Sequence, residues 1–310
     1  MRFGLFTGLT GISWPQLQQL WQHVEVTGWD AALVTDHFMP NVPDPVGDTL
    51  ECWTALAGLA QTTSRMRIGT LVSGNTYRHP AVLAKMATTV DIMASGRLIC
   101  GLGAAWQENE HRAYGIPFYT VGERLSRLEE ACQVLLELWT RPKATLRGKY
   151  YQLTNAPLFP KPVQQPHPEL LIGGGGEKRT LRIAARYADH WNVWGGPEIL
   201  RRKGRILDDH CAAVGRDPAT MTRSANMPML ITDKAEDRQR LINGLMRLFG
   251  RSEADARDTV LAGSVSQIQD TLGKLQEAGV HMLCVPTFLP PWQVEQLDRF
   301  IAEVAPAFRE

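Results

Sequence analysis

Asp36 and His37 stand side by side directly after a short apolar run, in LVTDHF. A carboxylate beside an imidazole suits proton handling, because histidine titrates near neutral pH and aspartate can orient it or raise its pKa. The same dipeptide also occurs in ordinary loops that hydrogen-bond backbone. A second pattern is LLIGGGGEKRT, Leu170 to Thr180. It reads as a strand (Leu170 to Ile172), four glycines (Gly173, Gly174, Gly175 and Gly176) and a helix that begins at once. Glycines let the backbone approach a ligand closely, and a helix N-terminus offers free N–H groups and positive dipole. Lys178 and Arg179 add charge, and Thr180 adds a hydroxyl. A phosphate is the simplest ligand for such a place; a tight turn without a ligand is the alternative. The loop is not a Walker motif, since Glu177 follows the last glycine. It is not a dinucleotide fingerprint, since Arg179 stands where the final glycine belongs.

Two further runs end in small residues. Ser73-Gly74-Asn75 forms either a bed for a flat ligand or an ordinary turn. In Gly101-Leu102-Gly103-Ala104-Ala105-Trp106, the glycines and alanines are expected to clear space and Trp106 to wall it. Gln107, Glu108, Asn109, Glu110 and His111 follow. Glu110 and His111 would suit a metal, but nothing has zinc-ligand spacing and the first strand lacks an HxH pair, so no metal is expected. Trp191 and Trp194 read as packing residues.

These candidates need elements to hold them. Strand candidates are Arg2–Phe6, Ala31–Thr35, Met66–Val72, Arg97–Gly101, Leu170–Ile172, His190–Val193, Thr222–Leu230 and His281–Pro286. Helical spacing fills the gaps, as in Leu125, Leu128, Cys132, Leu135 and Trp139. Several strands lack polar alternation, as expected when both faces are buried. The alternation predicts an α/β fold, a (β/α)₈ TIM barrel in one domain over 1–310, with function at the C-terminal strand ends. A doubly wound open sheet is the runner-up. Residues 141–168, rich in proline, predict an excursion with a small hairpin around Tyr150–Leu153. Residues 233–262 predict a helical insertion or lid.

Composition narrows the class. Hydrophobic residues make up 44% of the 310, enough for a substantial core. A net charge of +1 gives no general grip on nucleic acid or an anionic membrane. There is no signal-peptide pattern and no membrane-length apolar run. The five cysteines lack CxxC spacing and read as reduced thiols of a cytoplasmic protein.

The residues at the strand ends carry a resemblance. TDHF, Leu71–Asn75 with YRHP, DIMASGRLICGLGAAW, EHRAYGIPF, GERLSRLEEA and IGGGGEKRTLRIAARYADHWN occur in this order. The chain resembles the luciferase-like monooxygenase superfamily, especially its coenzyme F420-dependent oxidoreductases, nearly end to end. That resemblance implies a TIM barrel with a deazaflavin (F420), or alternatively FMN, at the C-terminal mouth beside Asp36 and His37. It implies a non-proline cis peptide after strand three, expected at Ser73–Gly74. Ser73, Gly74, Gly103, Ala104, Trp106 and Gln107 would line the cofactor, and Gly173–Gly176 with Lys178 and Thr180 would receive its phosphate. Relatives that oxidise sugar phosphates carry glutamate where Ala104 stands and tryptophan where Asn41 stands.

The resulting expectation is hydride transfer between F420 and a small-molecule substrate, with His37, oriented by Asp36, moving the proton. The alternative is an FMN-dependent monooxygenase using dioxygen and a separate flavin reductase as partner. A barrel lyase or isomerase lacks support, since no Schiff-base lysine or carboxylate pair sits at a strand end. A cofactor-binding protein without turnover is the remaining class. Dimers are common in the family, so the resemblance allows a homodimer, but the sequence leaves the oligomeric state undetermined. Loops 41–48, 114–121 and 194–197 and the insertion are the expected substrate walls.

Overall fold

Short runs buried on both faces pair as parallel strands, and each parallel pairing needs a crossover to return the chain. In the computed structural model, which describes residues 1–42, 44–287 and 293–309, that alternation closes on itself. The strands are β1 (Arg2–Thr7), β2 (Ala31–Val34), β3 (Arg67–Thr70), β4 (Leu98–Gly103), β5 (Glu169–Gly173), β6 (His190–Trp194), β7 (Thr222–Asn226) and β8 (Met282–Thr287). Their order is β3-β2-β1-β8-β7-β6-β5-β4, all parallel, and β3 pairs back to β4. This is a (β/α)₈ barrel, as the sequence predicts. Pro43 and residues 288–292 lie outside the described residues; Pro43 falls within the expected wall 41–48.

The barrel has two apolar layers. Phe6, Leu33, Leu71, Ile99, Leu171 and Met282 point into the lumen. Phe3 and Leu5 face outward to the helices, where Phe3 meets Phe300 edge-on at 5.1 Å. The helix Val121–Thr140 buries Leu128, Cys132, Leu135 and Trp139, and Thr120 caps it by accepting the Glu123 N–H. All five cysteines are free and buried. Where β3 meets β4, only glycine fits. A Cβ on Gly69 would lie 2.1 Å from the Ile99 carbonyl oxygen, and one on Gly101 2.0 Å from that of Thr70. Gly101 therefore serves the strand contact, not an opening at the mouth.

The lumen is polar beside β5 to β7. His190 joins Glu169 at 2.8 Å to Ser224 at 2.7 Å, and Asn192 donates to Ser224 and Asn226. Arg67 pairs with Glu169 at 2.9 Å. Burial opposes ionisation of Glu169, but His190 and Arg67 hold its carboxyl down at about 2. An acid depressed in the folded state stabilises it above the unfolded value, here 4.5, and that contribution is lost as pH falls toward 2. Glu169→Gln should remove roughly 2–3 kcal/mol at neutral pH and flatten the acid loss, as read from urea midpoints against pH.

Two expectations need adjusting. The predicted strand Thr222–Leu230 is broken, because Pro228 has no N–H to give a ladder. Met229–Ile231 instead pairs in parallel with Leu261–Gly263, outside the barrel. The insertion is two helices, Ala235–Phe249 and Glu253–Thr259, with a small core of Ile242, Leu245, Ala256, Val260 and Ala262. Within the excursion, Ala144–Arg147 and Gln152–Ala156 form the expected hairpin. Among the described residues, no helix is long and apolar enough to cross a membrane.

Candidate active site

Asp36 and His37 leave the C-terminal end of β2 in different directions. Asp36 is 1% exposed and accepts both Arg78 nitrogens, at 2.6 and 3.1 Å. Arg78 also donates to Glu51, whose carboxylate caps the helix Cys52–Ala60 through the Trp53 and Thr54 N–H groups. Burial pushes the Asp36 carboxyl up, and the Arg78 guanidinium only partly opposes it. Asp36 is thus the buried end of an ion-pair chain.

The carboxylate that holds His37 is Glu110, not Asp36. His37 Nδ1 lies 2.8 Å from Glu110 Oε1, and the Phe38 N–H donates to Oε2 at 2.8 Å. The Tyr77 hydroxyl also donates to Glu110 Oε1. Glu110 is itself fully buried, on the short helix Glu108–Ala113. Burial opposes its ionisation, but bonds from His37, Tyr77 and Phe38 hold its carboxyl below the usual range. A carboxylate accepts only, so His37 carries its hydrogen on Nδ1 and leaves Nε2 to take a proton. Trp106, 56% exposed, stands edge-on to the His37 ring at 5.4 Å. The sequence reading weighed Glu110 only with His111 as a metal site and quoted Tyr77 only within YRHP, so it missed that both meet at His37.

The cis peptide is at Leu71–Val72, not at Ser73–Gly74. Val72 occupies the room that two glycines leave: a Cβ on Gly103 would lie 2.7 Å from its side chain, and one on Gly173 2.8 Å. The space predicted at Gly103 is therefore filled by the protein itself. Ser73 is buried and accepts the Trp53 indole N–H at 2.8 Å, and Gly74 is buried against the Tyr77 ring. Ala104 gives its carbonyl to Arg124 Nε at 3.1 Å, and Gln107 is buried, donating to the Met39 carbonyl.

The tetraglycine loop lies between β5 and the helix Thr180–Tyr187. Gly174 has φ +128°, a conformation suited to glycine, and a Cβ there would lie 3.2 Å from Thr180. Its N–H donates to the Asn192 carbonyl. Thr180 is buried, Lys178 is exposed, and Arg179 reaches the Gly122 carbonyl and Ser126. Lys203, which the sequence reading did not single out, donates to the Gly175 carbonyl at 2.6 Å and to Glu177 at 2.9 Å. Its charge lies directly beneath the loop.

These features fit a flavin-like group with a phosphate tail. Thr7 Oγ1 and Asn75 Oδ1, both near C-terminal strand ends, are buried without a hydrogen-bond partner among the described residues, and buried polar atoms ordinarily have one. A ligand donor would satisfy Asn75 Oδ1. The loop adds a cation and the first turn of a helix for an anion.

The comparisons agree with this architecture. The family model for luciferase-like monooxygenases matches residues 1–288. An F420-dependent glucose-6-phosphate dehydrogenase of Microbacterium testaceum is 33% identical over 196 residues, 62% of this chain and 57% of that protein. The chain spans less than two thirds of the length of the curated relatives it matches first. An F420-dependent secondary alcohol dehydrogenase, solved with an F420-acetone adduct, superposes with a TM-score of 0.86 at 22% identity, covering 100% of this chain and 99% of that one. The oxygenating constituent of 3,6-diketocamphane monooxygenase from Pseudomonas putida, solved with FMN, superposes at 0.75 and 18%, covering 99% and 98%. With a family match over nearly the whole barrel and strand ends built as described, the chain belongs to the luciferase-like monooxygenase family.

Proposed function

We propose that this protein is an oxidoreductase that binds coenzyme F420 and exchanges a hydride between it and a small organic substrate. The observation that carries this reading is the Glu110-held His37, with Nε2 left to accept a proton, beside the exposed Trp106. When bound, the deazaflavin would supply the carbon that takes or gives the hydride. Gly173–Gly176, Lys178, Thr180 and Lys203 would hold its phosphate. Trp106 would shield the ring from water. His37 would take the substrate proton at Nε2 while Glu110 stabilises the imidazolium, help worth about 10²–10⁴ in rate. Asp36 and Arg78 would keep the β2 end fixed.

FMN-dependent oxygenation is the second reading, supported by the FMN-bound monooxygenase that superposes on this chain; Ala104 and Asn41 argue only against a sugar-phosphate substrate. Titration with oxidised and reduced F420 and FMN separates the two. Tight F420 binding supports the first; binding of FMN alone would sink it. Gly174→Val should weaken cofactor binding by crowding Thr180 and straining a positive φ. If it slowed turnover at saturating cofactor with affinity intact, the loop would not be the anchor.

A further inference from the structure

The N-terminal end of the barrel has a cavity of its own. It measures about 720 Å³ and lies at the starts of β1, β7 and β8. Small-molecule sites usually span roughly 300–1,000 Å³. Chemistry in this fold sits at the opposite end of the strands, where His37 follows β2 and the tetraglycine loop follows β5. The cavity is therefore separate from the cleft described above.

Arg2, Arg309 and Asp30 are its charged side chains. Asp30 is committed: it accepts the Phe3 N–H at 2.7 Å and lies 3.6 Å from Arg309, which also donates to the Gly28 carbonyl. Arg2 is committed far less. From β1 its guanidinium reaches past β8 to Thr222 on β7, through one long bond of 3.3 Å. Among the described residues, which end at Arg309, it makes no ion pair. Glu169, the acid its charge reaches, is paired instead with Arg67 and His190. A guanidinium has five N–H donors, so most of these are left to the cavity. His281, just before β8, accepts the Arg223 N–H on Nδ1 at 3.0 Å. The neutral ring then carries its hydrogen on Nε2, with no acceptor among the described residues. Burial, then the charges of Arg223 and Arg2, hold the His281 pKa below its ordinary value, so the field here is positive. The Gln276 side chain lines the same cavity and makes no hydrogen bond among the described residues.

We propose that this cavity binds a small phosphate monoester, its phosphoryl oxygens on Arg2 and the His281 Nε2–H, with Gln276 and Thr222 beside them. Two guanidinium groups against one carboxylate leave the lining positive. A guanidinium forks onto phosphoryl oxygens through charge-assisted bonds. A phosphoryl group brings close to two negative charges and three acceptor oxygens, enough for donors from β1 and from the start of β8 at once. A carboxylate satisfies fewer of them, a cation would be repelled by Arg2, and an uncharged ligand would leave that charge unanswered. Met221 and Val280 line the same cavity and give the carbon part of the ester an apolar wall. A ligand here leaves Gly173–Gly176 free for the cofactor.

The test titrates the whole chain with glycerol 3-phosphate, glycerol and succinate by calorimetry, and follows the His281 ring signals by NMR. Glycerol 3-phosphate should bind saturably, move the His281 signals and weaken as salt is raised. Glycerol should not bind, and succinate should bind more weakly. Arg2→Gln should weaken glycerol 3-phosphate roughly ten- to a hundredfold. Gln276→Glu, an exposed substitution that brings a second carboxylate to the cavity, should weaken it too, and stands in if Arg2→Gln does not fold. Lys178→Gln, at the tetraglycine loop, should leave the His281 response unchanged. Binding that Lys178→Gln abolishes while Arg2→Gln and Gln276→Glu retain it would overturn the proposal. So would His281 signals that do not move, or succinate binding more tightly than the phosphate ester.

Discussion

Replacing Glu110 with glutamine should lower turnover by roughly 10²–10⁴-fold and leave cofactor affinity close to that of the native protein. Glu110 takes three donors at once: His37 Nδ1–H, the Tyr77 hydroxyl and the Phe38 N–H. Glutamine has the same shape but one acceptor oxygen and an amide that itself donates. One face must then set donor against donor, inside a site where the carboxylate is fully buried. Whichever way the amide turns, either His37 loses its orienting partner or the Phe38 N–H is stranded. The first outcome frees the imidazole to change tautomer, and loss of the negative charge also destabilises the imidazolium. The kinetic signature is a fall in kcat with a displaced pH profile and little change in cofactor Kd. Asp36→Asn is the contrast: it should spare the His37 profile, since the Asp36 carboxylate is spent on Arg78. A larger kcat loss in Asp36→Asn than in Glu110→Gln would reverse the assignment of roles.

The largest stability effect is expected at the other half of the dipeptide. Arg78→Leu should cost about 3–5 kcal/mol, the range for breaking a buried ion pair from one side. Asp36 has no exposed side-chain surface and Arg78 only 14%, so water cannot replace the guanidinium. Glu51 loses the same partner, at the start of the helix Cys52–Ala60. The pH dependence has a definite sign. Burial already holds the Asp36 carboxyl above its ordinary value, and removal of Arg78 raises it further. A group whose folded pKa lies above its unfolded one gains stability as pH falls. The variant should therefore recover part of its loss on mild acidification, measured by urea midpoints. A variant equally unstable at neutral and mildly acidic pH would show that Asp36 is not the group left exposed to the loss.

The barrel was legible because burial on both faces and helical spacing repeat along the chain. His37, Trp106 and the tetraglycine run follow the ends of β2, β4 and β5, where the strand reading expected them. What sequence could not show is which side chains meet. Glu110 lies 73 residues from His37, and Arg78 lies 42 from Asp36. Adjacency in DH suggested a pair that the turn after β2 separates. Glu110 sits in QENEH, a polar run weighed only as a metal site, and is buried where the short helix meets His37 and Phe38 in the turn after β2. The glycines misled in another way. Gly101 and Gly103 were read as space for a ligand, yet one admits the Thr70 carbonyl and the other Val72. A missing Cβ in a sequence does not say whether protein or ligand uses the room. The strand reading ran Thr222–Leu230 through Pro228, although a proline has no N–H to give the ladder, and the barrel strand ends at Asn226.

The central claim is that this cleft moves a hydride with F420 and a proton with His37. Its most direct test is strictly anaerobic turnover of uncharged alcohols and ketones, followed by the absorbance of F420, in native protein and in His37→Ala. The account predicts F420 oxidation or reduction without dioxygen, strongly suppressed in His37→Ala although F420 still binds. Turnover that requires dioxygen and reduced FMN, with no redox change in F420, would contradict it.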